Sequence, residues 1–206
     1  MVATPNTTLL APASYYLGRC LFEGKDYANA LPNFQRTLAL KTESTLNDDA
    51  QYYVGRCFYE TGDFANAAVA MSAVETNYPE SAVLDNARYY LGRCYYDRAM
   101  WTDAIPAFMR LVTIASSTYR DDGLYFLGRS YYELDNLPAA LSNIQQLETA
   151  YPMSNYADNA LYWDARIHTD QGQCPEANAA VLRLQASFPM SAELPLASAY
   201  VTRNGC

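Results

Sequence analysis

Catalytic raw material is scarce in this chain. It holds a single histidine, His168, among 206 residues. That is too little for a histidine-based triad or a multi-histidine metal site. No Gly-rich phosphate loop occurs; the glycines at 18, 55, 92 and 128 sit inside a repeated string, not a nucleotide fingerprint. No enzyme, metal or cofactor is therefore expected. Nor does any stretch approach the roughly eighteen uninterrupted apolar residues of a membrane span. The start lacks the basic and apolar regions of a signal peptide. Residues 1–11 read as a flexible polar lead-in, and an export signal or lipidated Cys could have preceded the sequence given. Basic side chains are outnumbered, 14 to 22, for a formal charge of −8. Binding to a phosphate backbone depends on Lys and Arg releasing counterions, so nucleic acid is not expected as a partner.

What the chain has is apolar and aromatic material. Hydrophobic residues make up 50% and charged residues 17%, enough for a packed core and unlike a disordered segment. Tyrosine occurs 19 times. Its large ring with a hydrogen-bonding tip suits half-buried packing and protein interfaces.

The tyrosines mark a repeat. Tyr-Tyr-Leu-Gly-Arg-Cys at 15–20 recurs as Tyr-Tyr-Val-Gly-Arg-Cys at 52–57 and as Tyr-Tyr-Leu-Gly-Arg-Cys at 89–94. Tyr-Phe-Leu-Gly-Arg-Ser at 125–130 and the weaker Tyr-Trp-Asp-Ala-Arg-Ile at 162–167 complete the series. The glycine slot advances in steps of 37, 37, 36 and 37 residues. Apolar residues recur three and four apart on both sides of a turn such as Glu60-Thr61-Gly62-Asp63, which marks two amphipathic helices per copy. Pro79, Pro152 and Pro189 close the second helix. Asn155 and Asp158 give the next helix a polar, capping-competent start. The carboxylate pairs Asp48-Asp49 and Asp121-Asp122 fall at first-helix starts, where they complement the helix dipole.

Val54-Gly55, Phe58, Ala67, Met71 and Pro79 in the second copy, like their counterparts elsewhere, resemble the tetratricopeptide repeat. The resemblance covers roughly residues 12–203. It implies an all-α fold, a right-handed superhelix of about five helical hairpins with a C-terminal capping helix. One solenoid domain is expected over 12–206, with repeats at about 12–46, 47–83, 84–119, 120–156 and 157–190 and a cap over 191–206. The linker form Tyr-Pro-x-Ser-x-x-x-Asp-Asn-Ala resembles a subgroup of bacterial cell-envelope proteins. That subgroup includes the barrel-assembly lipoprotein BamD and the Tol–Pal-associated cell-division coordinator, and pilotin lipoproteins carry similar repeats.

In this family the first helices line the concave side. By resemblance the groove would carry Tyr15, Arg19, Tyr52, Arg56, Tyr59, Tyr89, Arg93, Tyr96, Tyr125, Arg129, Tyr132, Tyr162 and Arg166, interleaved with Glu23, Glu60, Asp97, Glu133 and Asp170. Tyr and Arg are frequent interface hot spots, so this ladder reads as a docking surface for extended or helical segments of other proteins. Arg and acid four apart could equally form a solvated lattice along each helix. The function implied is a non-catalytic scaffold, periplasmic and outer-membrane-anchored in the full-length protein, which includes a pilotin-like role in secretin assembly. A cytoplasmic adaptor or cochaperone reading peptide segments is the alternative.

Cys20, Cys57 and Cys94 stand one per repeat, on first helices about 8–10 Å apart. That is too far to share one metal, which holds thiolates at about 2.3 Å. They read as small buried hydrophobes. Cys174 and Cys206 fall towards one rim, either bonded or as two unpaired thiols. In the fifth copy Asp164 occupies a leucine slot and needs a partner, Arg166 or His168. A short helix over 192–202 would cover the end of the stack.

Overall fold

The tight turns that follow the first helices pass through the left-handed region of backbone space. The residue there is Lys25 (φ 61°), Gly62 (79°), Ala99 (56°), Asp135 (58°) or Gly172 (71°). Within a helical hairpin such a turn reverses the chain, and a capping residue then launches the second helix. Asp26, Asp63 and Asn136 each accept a hydrogen bond from the backbone N–H three residues on, satisfying one of the donors that a helix start leaves open.

The computed structural model describes residues 7–40 and 45–206. Among them it has eleven α-helices and no strand. By the clustering of its contacts the chain divides into two compact units, Met1–Met100 and Trp101–Cys206, where the sequence reading has one domain. The first holds α1 (Thr7–Glu23), α2 (Tyr27–Ala39), α3 (Asn47–Glu60), α4 (Phe64–Asn77) and α5 (Leu84–Tyr96). The second holds α6 (Trp101–Val112), α7 (Arg120–Glu133), α8 (Leu137–Ala150), α9 (Ala157–Asp170), α10 (Cys174–Ser187) and α11 (Glu193–Arg203). Within each unit, helices adjacent in sequence pack side by side as α–α hairpins, and α11 covers α9 and α10.

Three local expectations are corrected. The lead-in over 1–11 is too long, because α1 begins at Thr7; Ala11 is buried, and its carbonyl accepts from the Thr37 hydroxyl. Residues 1–6 lie outside the described residues. Secondly, the first helices that follow a linker are not capped by their polar neighbours: the N-cap positions Leu46, Val83, Tyr119 and Tyr156 make no side-chain cap bond. Instead a linker serine ties successive repeats. Ser81 donates to Asp48, Ser154 to Asp121 and Ser191 to Asp158, at 2.6–2.7 Å. Each also accepts from the backbone N–H two residues on. Thirdly, Cys57 and Cys94 are buried but Cys20 is exposed. Cys57 clusters with Ala30 and Phe34 of the preceding hairpin, whereas no described helix precedes α1.

The glycine slot is explained by close approach. A Cβ on Gly55 would lie 2.8 Å from Met71 Cε, and one on Gly128 2.9 Å from Ile144 Cδ1. In these hairpins the first helix therefore presses directly onto the large residue of its partner helix. At the far end Cys174, which opens α10, is disulfide-bonded to Cys206, with their Cα atoms 4.9 Å apart.

Candidate partner-binding face

Arg19, Arg56, Arg93, Arg129 and Arg166 each sit on the first helix of a repeat, one residue past the glycine slot. Each guanidinium turns back one helical turn to a tyrosine hydroxyl. In the first unit the bonds are Arg19 to Tyr15 at 3.2 Å, Arg56 to Tyr52 at 3.0 Å and Arg93 to Tyr89 at 3.0 Å. In the second they are Arg129 to Tyr125 at 3.5 Å and Arg166 to Tyr162 at 3.2 Å. One turn forward stand the acids: Glu23 at 2.9 Å, Glu60 at 2.7 Å, Asp97 at 3.4 Å and, in the second unit, Glu133 at 3.8 Å. These are the i,i+4 pairs that helix geometry brings together.

A further set of contacts runs between repeats. Arg19 lies 4.6 Å from the ring centre of Tyr53, and Arg56 lies 4.2 Å from that of Tyr90. In the second unit Arg129 lies 4.5 Å from Trp163, and Arg166 lies 4.7 Å from Tyr200. The ring faces attract the cations and cover Nε of Arg19 and Arg56, which is buried and makes no hydrogen bond. Tyrosine hydroxyls cross to the next acid: Tyr59 donates to Asp97 at 2.8 Å, Tyr132 to Asp170 at 2.6 Å, and Tyr200 to the same Asp170 at 2.6 Å. Burial first, then the bond to the carboxylate, holds the Tyr59 and Tyr132 hydroxyls well above the usual phenol range, so both remain donors. For Arg56 burial acts the other way, but Tyr52 and Glu60 outweigh it and keep the guanidinium charged.

Within each unit the Arg–Tyr–acid contacts form, and the expected groove residues differ in exposure. The rings of Tyr15, Tyr52, Tyr89 and Tyr125 are buried rather than lining a surface. They wedge against aromatic residues of the following repeat, Tyr15 against Tyr53, Tyr52 against Tyr90 and Tyr125 against Tyr156. Tyr59, Tyr96, Tyr132 and Tyr162 are half-buried, as are all five arginines. In each unit the arginines and the acids beside them leave little net charge. The stacking partners Tyr53, Tyr90, Trp163 and Tyr200 are absent from the expected set. For Tyr53, Tyr90 and Trp163 the signal was in the repeated string, as its second aromatic; Tyr200 lies outside the string.

The buried thiols carry no chemistry on this face: burial pushes Cys57 and Cys94 up to about 12, which disfavours the reactive thiolate. Among the described residues no group of three or more His, Cys, Asp or Glu could hold a metal ion, and no helix is long and apolar enough to cross a membrane.

The family profile described as outer membrane lipoprotein, YfiO, matches residues 11–169. Comparison with curated proteins gives no significant match. Among solved structures, YrrB, described as a TPR protein with an unusual peptide-binding site, is 15% identical, with 90% of each chain covered and a TM-score of 0.74. A tetratricopeptide repeat protein from Parabacteroides merdae ATCC 43184 is 13% identical, covering 95% of this chain and 73% of that one, with a TM-score of 0.79. MamA from Desulfovibrio magneticus RS-1 is 14% identical, covering 92% and 99%, with a TM-score of 0.75. At these identities the likeness is one of fold, the tetratricopeptide α–α solenoid.

Proposed function

The chain belongs to the YfiO family of outer membrane lipoproteins, and from that premise we propose that it is a non-catalytic scaffold that helps assemble or position a multiprotein complex on the periplasmic side of the outer membrane. The observation that carries this reading is the repeated Arg–Tyr–acid column on the first helices, which presents half-buried Tyr59, Tyr96, Tyr132 and Tyr162 beside the arginines. Aromatic and Arg side chains held in place by packing lose little entropy when a partner docks. Extended or helical protein segments would lie along this face, exchanging water for the ring edges and the outer guanidinium N–H groups. The disulfide Cys174–Cys206 supports an oxidising compartment, as an envelope location requires. A pilotin-like role, in which the captured segment belongs to a secretin subunit, is a narrower form of the same proposal. The charge balance of the column disfavours a cytosolic tail-reader, which needs a cationic clamp for a terminal carboxylate.

Replacing Arg56, Arg93 and Arg129 together with Ala tests the assignment. The variant should keep its helical circular dichroism and lose partner capture from an envelope extract. Capture equal to that of the unaltered protein would remove the face from consideration.

A further inference from the structure

Helix α1 carries a face that later repeats keep covered. Leu9, Ala13, Tyr16, Leu17 and Cys20 fall three and four residues apart, on one stripe of the helix. A step of 37 residues lands on Leu46, Ala50, Tyr53, Val54 and Cys57 at α3, and the next step meets the same types at α5. The side chains are nearly unchanged, but their surroundings are not. Val54 is 6% exposed and Cys57 1%, whereas Leu17 is 53% exposed and Tyr16 60%. Ala13 and Cys20 are exposed too, where Ala50 is buried.

What covers the stripe at α3 is the second helix of the preceding hairpin. Ala30 and Phe34 of α2 join Ala50, Val54 and Cys57 in one buried cluster, with Leu38 packed against it. The Phe34 ring stacks on Tyr53 with centres 5.1 Å apart. Helix α4 likewise packs on α5. The covering face of α2 has a definite chemistry: a small residue, an aromatic ring and a leucine, each four residues from the last. No helix precedes α1 among the described residues. Its stripe is uncharged and contiguous, the kind of exposed apolar surface that marks an interaction site.

We propose that the α1 stripe docks an amphipathic α-helix of a partner protein, which takes over α1 the place that α2 takes over α3. The partner helix sets an aromatic residue on the Tyr16 ring, with a small residue one turn before it and a leucine one turn after. Continuity with the stacking interface argues for this occupant, because the same five side-chain types already receive such a helix at α3 and at α5. No residue of the stripe belongs to the Arg–Tyr column, so either docking surface can fail alone.

Cys20 supplies the readout, because Cys57 and Cys94 are buried and Cys174 is bonded to Cys206. The whole protein is alkylated with iodoacetamide, alone and with a stapled helical peptide that copies residues 27–40 and carries Pro32→Ala. Cys20 should react readily in the free protein and be protected saturably by the peptide. Phe34→Ala in the peptide should weaken protection by roughly tenfold or more, the effect of one large apolar side chain leaving its burial. Leu17→Glu or Ala13→Arg in the protein should do the same with the helical circular dichroism unchanged, since both positions are exposed. Leu17→Met should retain binding. A Cys20 that resists alkylation in the free protein, an absence of protection, or protection indifferent to these substitutions overturns the proposal. Self-association that Leu17→Glu abolishes, measured by sedimentation, assigns the stripe to a second copy of this chain and overturns the partner helix.

Discussion

The guanidinium of Arg56 rests 4.2 Å from the ring centre of Tyr90, one repeat further along the chain. Its neighbours Tyr52 and Glu60 occupy its N–H groups from the same helix. The arginine therefore joins two repeats. Removing the ring should loosen that junction while the Arg56 bonds to Tyr52 and Glu60 stay in place. Tyr90→Leu is expected to cost about 0.5–2 kcal/mol, the range of a cation over an aromatic face as it becomes desolvated, and Tyr90→Phe, which keeps the ring, less. Urea unfolding of the two variants checks this; equal losses would mean that the hydroxyl, not the ring, matters.

The turn residue Ala99 has φ 56°, a conformation its counterparts Gly62 and Gly172 adopt freely. An L side chain there is strained against the following carbonyl by roughly 1–2 kcal/mol. Part of that is recovered by glycine, which gives up more unfolded-state freedom. Ala99→Gly is expected to raise stability by about 0.5–1 kcal/mol, and Gly62→Ala to lower it by a similar amount. A denaturation midpoint that moves down for Ala99→Gly would refute the strain argument.

At Gly128 the missing side chain is a matter of space. A Cβ would sit 2.9 Å from both Ile144 Cδ1 and Cγ1 and 3.3 Å from the Ala140 carbonyl oxygen. Gly128→Ala should destabilise by about 1–3 kcal/mol, the usual cost of overpacking. Trimming the opposing residue in Gly128→Ala/Ile144→Val should recover part of the loss, because it removes the δ-methyl, one of the two 2.9 Å contacts. A double-mutant cycle measures the recovery, and strict additivity would count against this contact as the cause.

These residues also show what was legible beforehand. The glycine and large-apolar slots recur in register in the string itself, so the hairpins, their pairing and their tight contact followed from periodicity. The column of arginines was legible for the same reason. What escaped was relational. Helical spacing puts Tyr15 and Arg19 on one stripe, but only the neighbouring helix decides that the tyrosine ring goes inward. Cys20 has the same local sequence as Cys57 and differs only in lacking a described helix in front of it. Asp164 was correctly marked as needing a partner, and His168 does lie against it. The main partner, however, is Arg183, which reaches it from another helix 19 residues away, and no local pattern specifies that pairing.

The Cys174–Cys206 bond closes a segment with a sequence separation of 32 residues. Constraining a loop of that length in the unfolded chain stabilises the fold by about 3–4 kcal/mol in the chain-entropy account. Cys206→Ser should lower the unfolding transition of the second unit. It should also speed amide exchange in α11, whose Ala197 and Val201 pack on α9 and α10. Exchange in α1–α5 should not change. An unaltered α11 would mean that its apolar face alone holds it in place.

Glu148 gives the sharpest dependence on pH. Its carboxyl is raised to about 7 in the folded chain, chiefly by burial, against about 4.3 for a free glutamate. Between those values the folded state holds a proton that the unfolded state releases. The contribution to stability is therefore fully present below about pH 4 and is lost as pH rises through about 7. A difference of this size corresponds to no more than about 3–4 kcal/mol, reduced by whatever water reaches the site. Glu148→Gln removes the titration while keeping an acceptor for Arg183. It should be nearly neutral at pH 5 and stabilising by about 1–3 kcal/mol at pH 8, measured by urea unfolding at both values. The opposite order, with the variant losing most at pH 8, would mean that the ionised Glu148–Arg183 pair stabilises the fold by more than its burial costs, and the direction of the shift would have to be reversed.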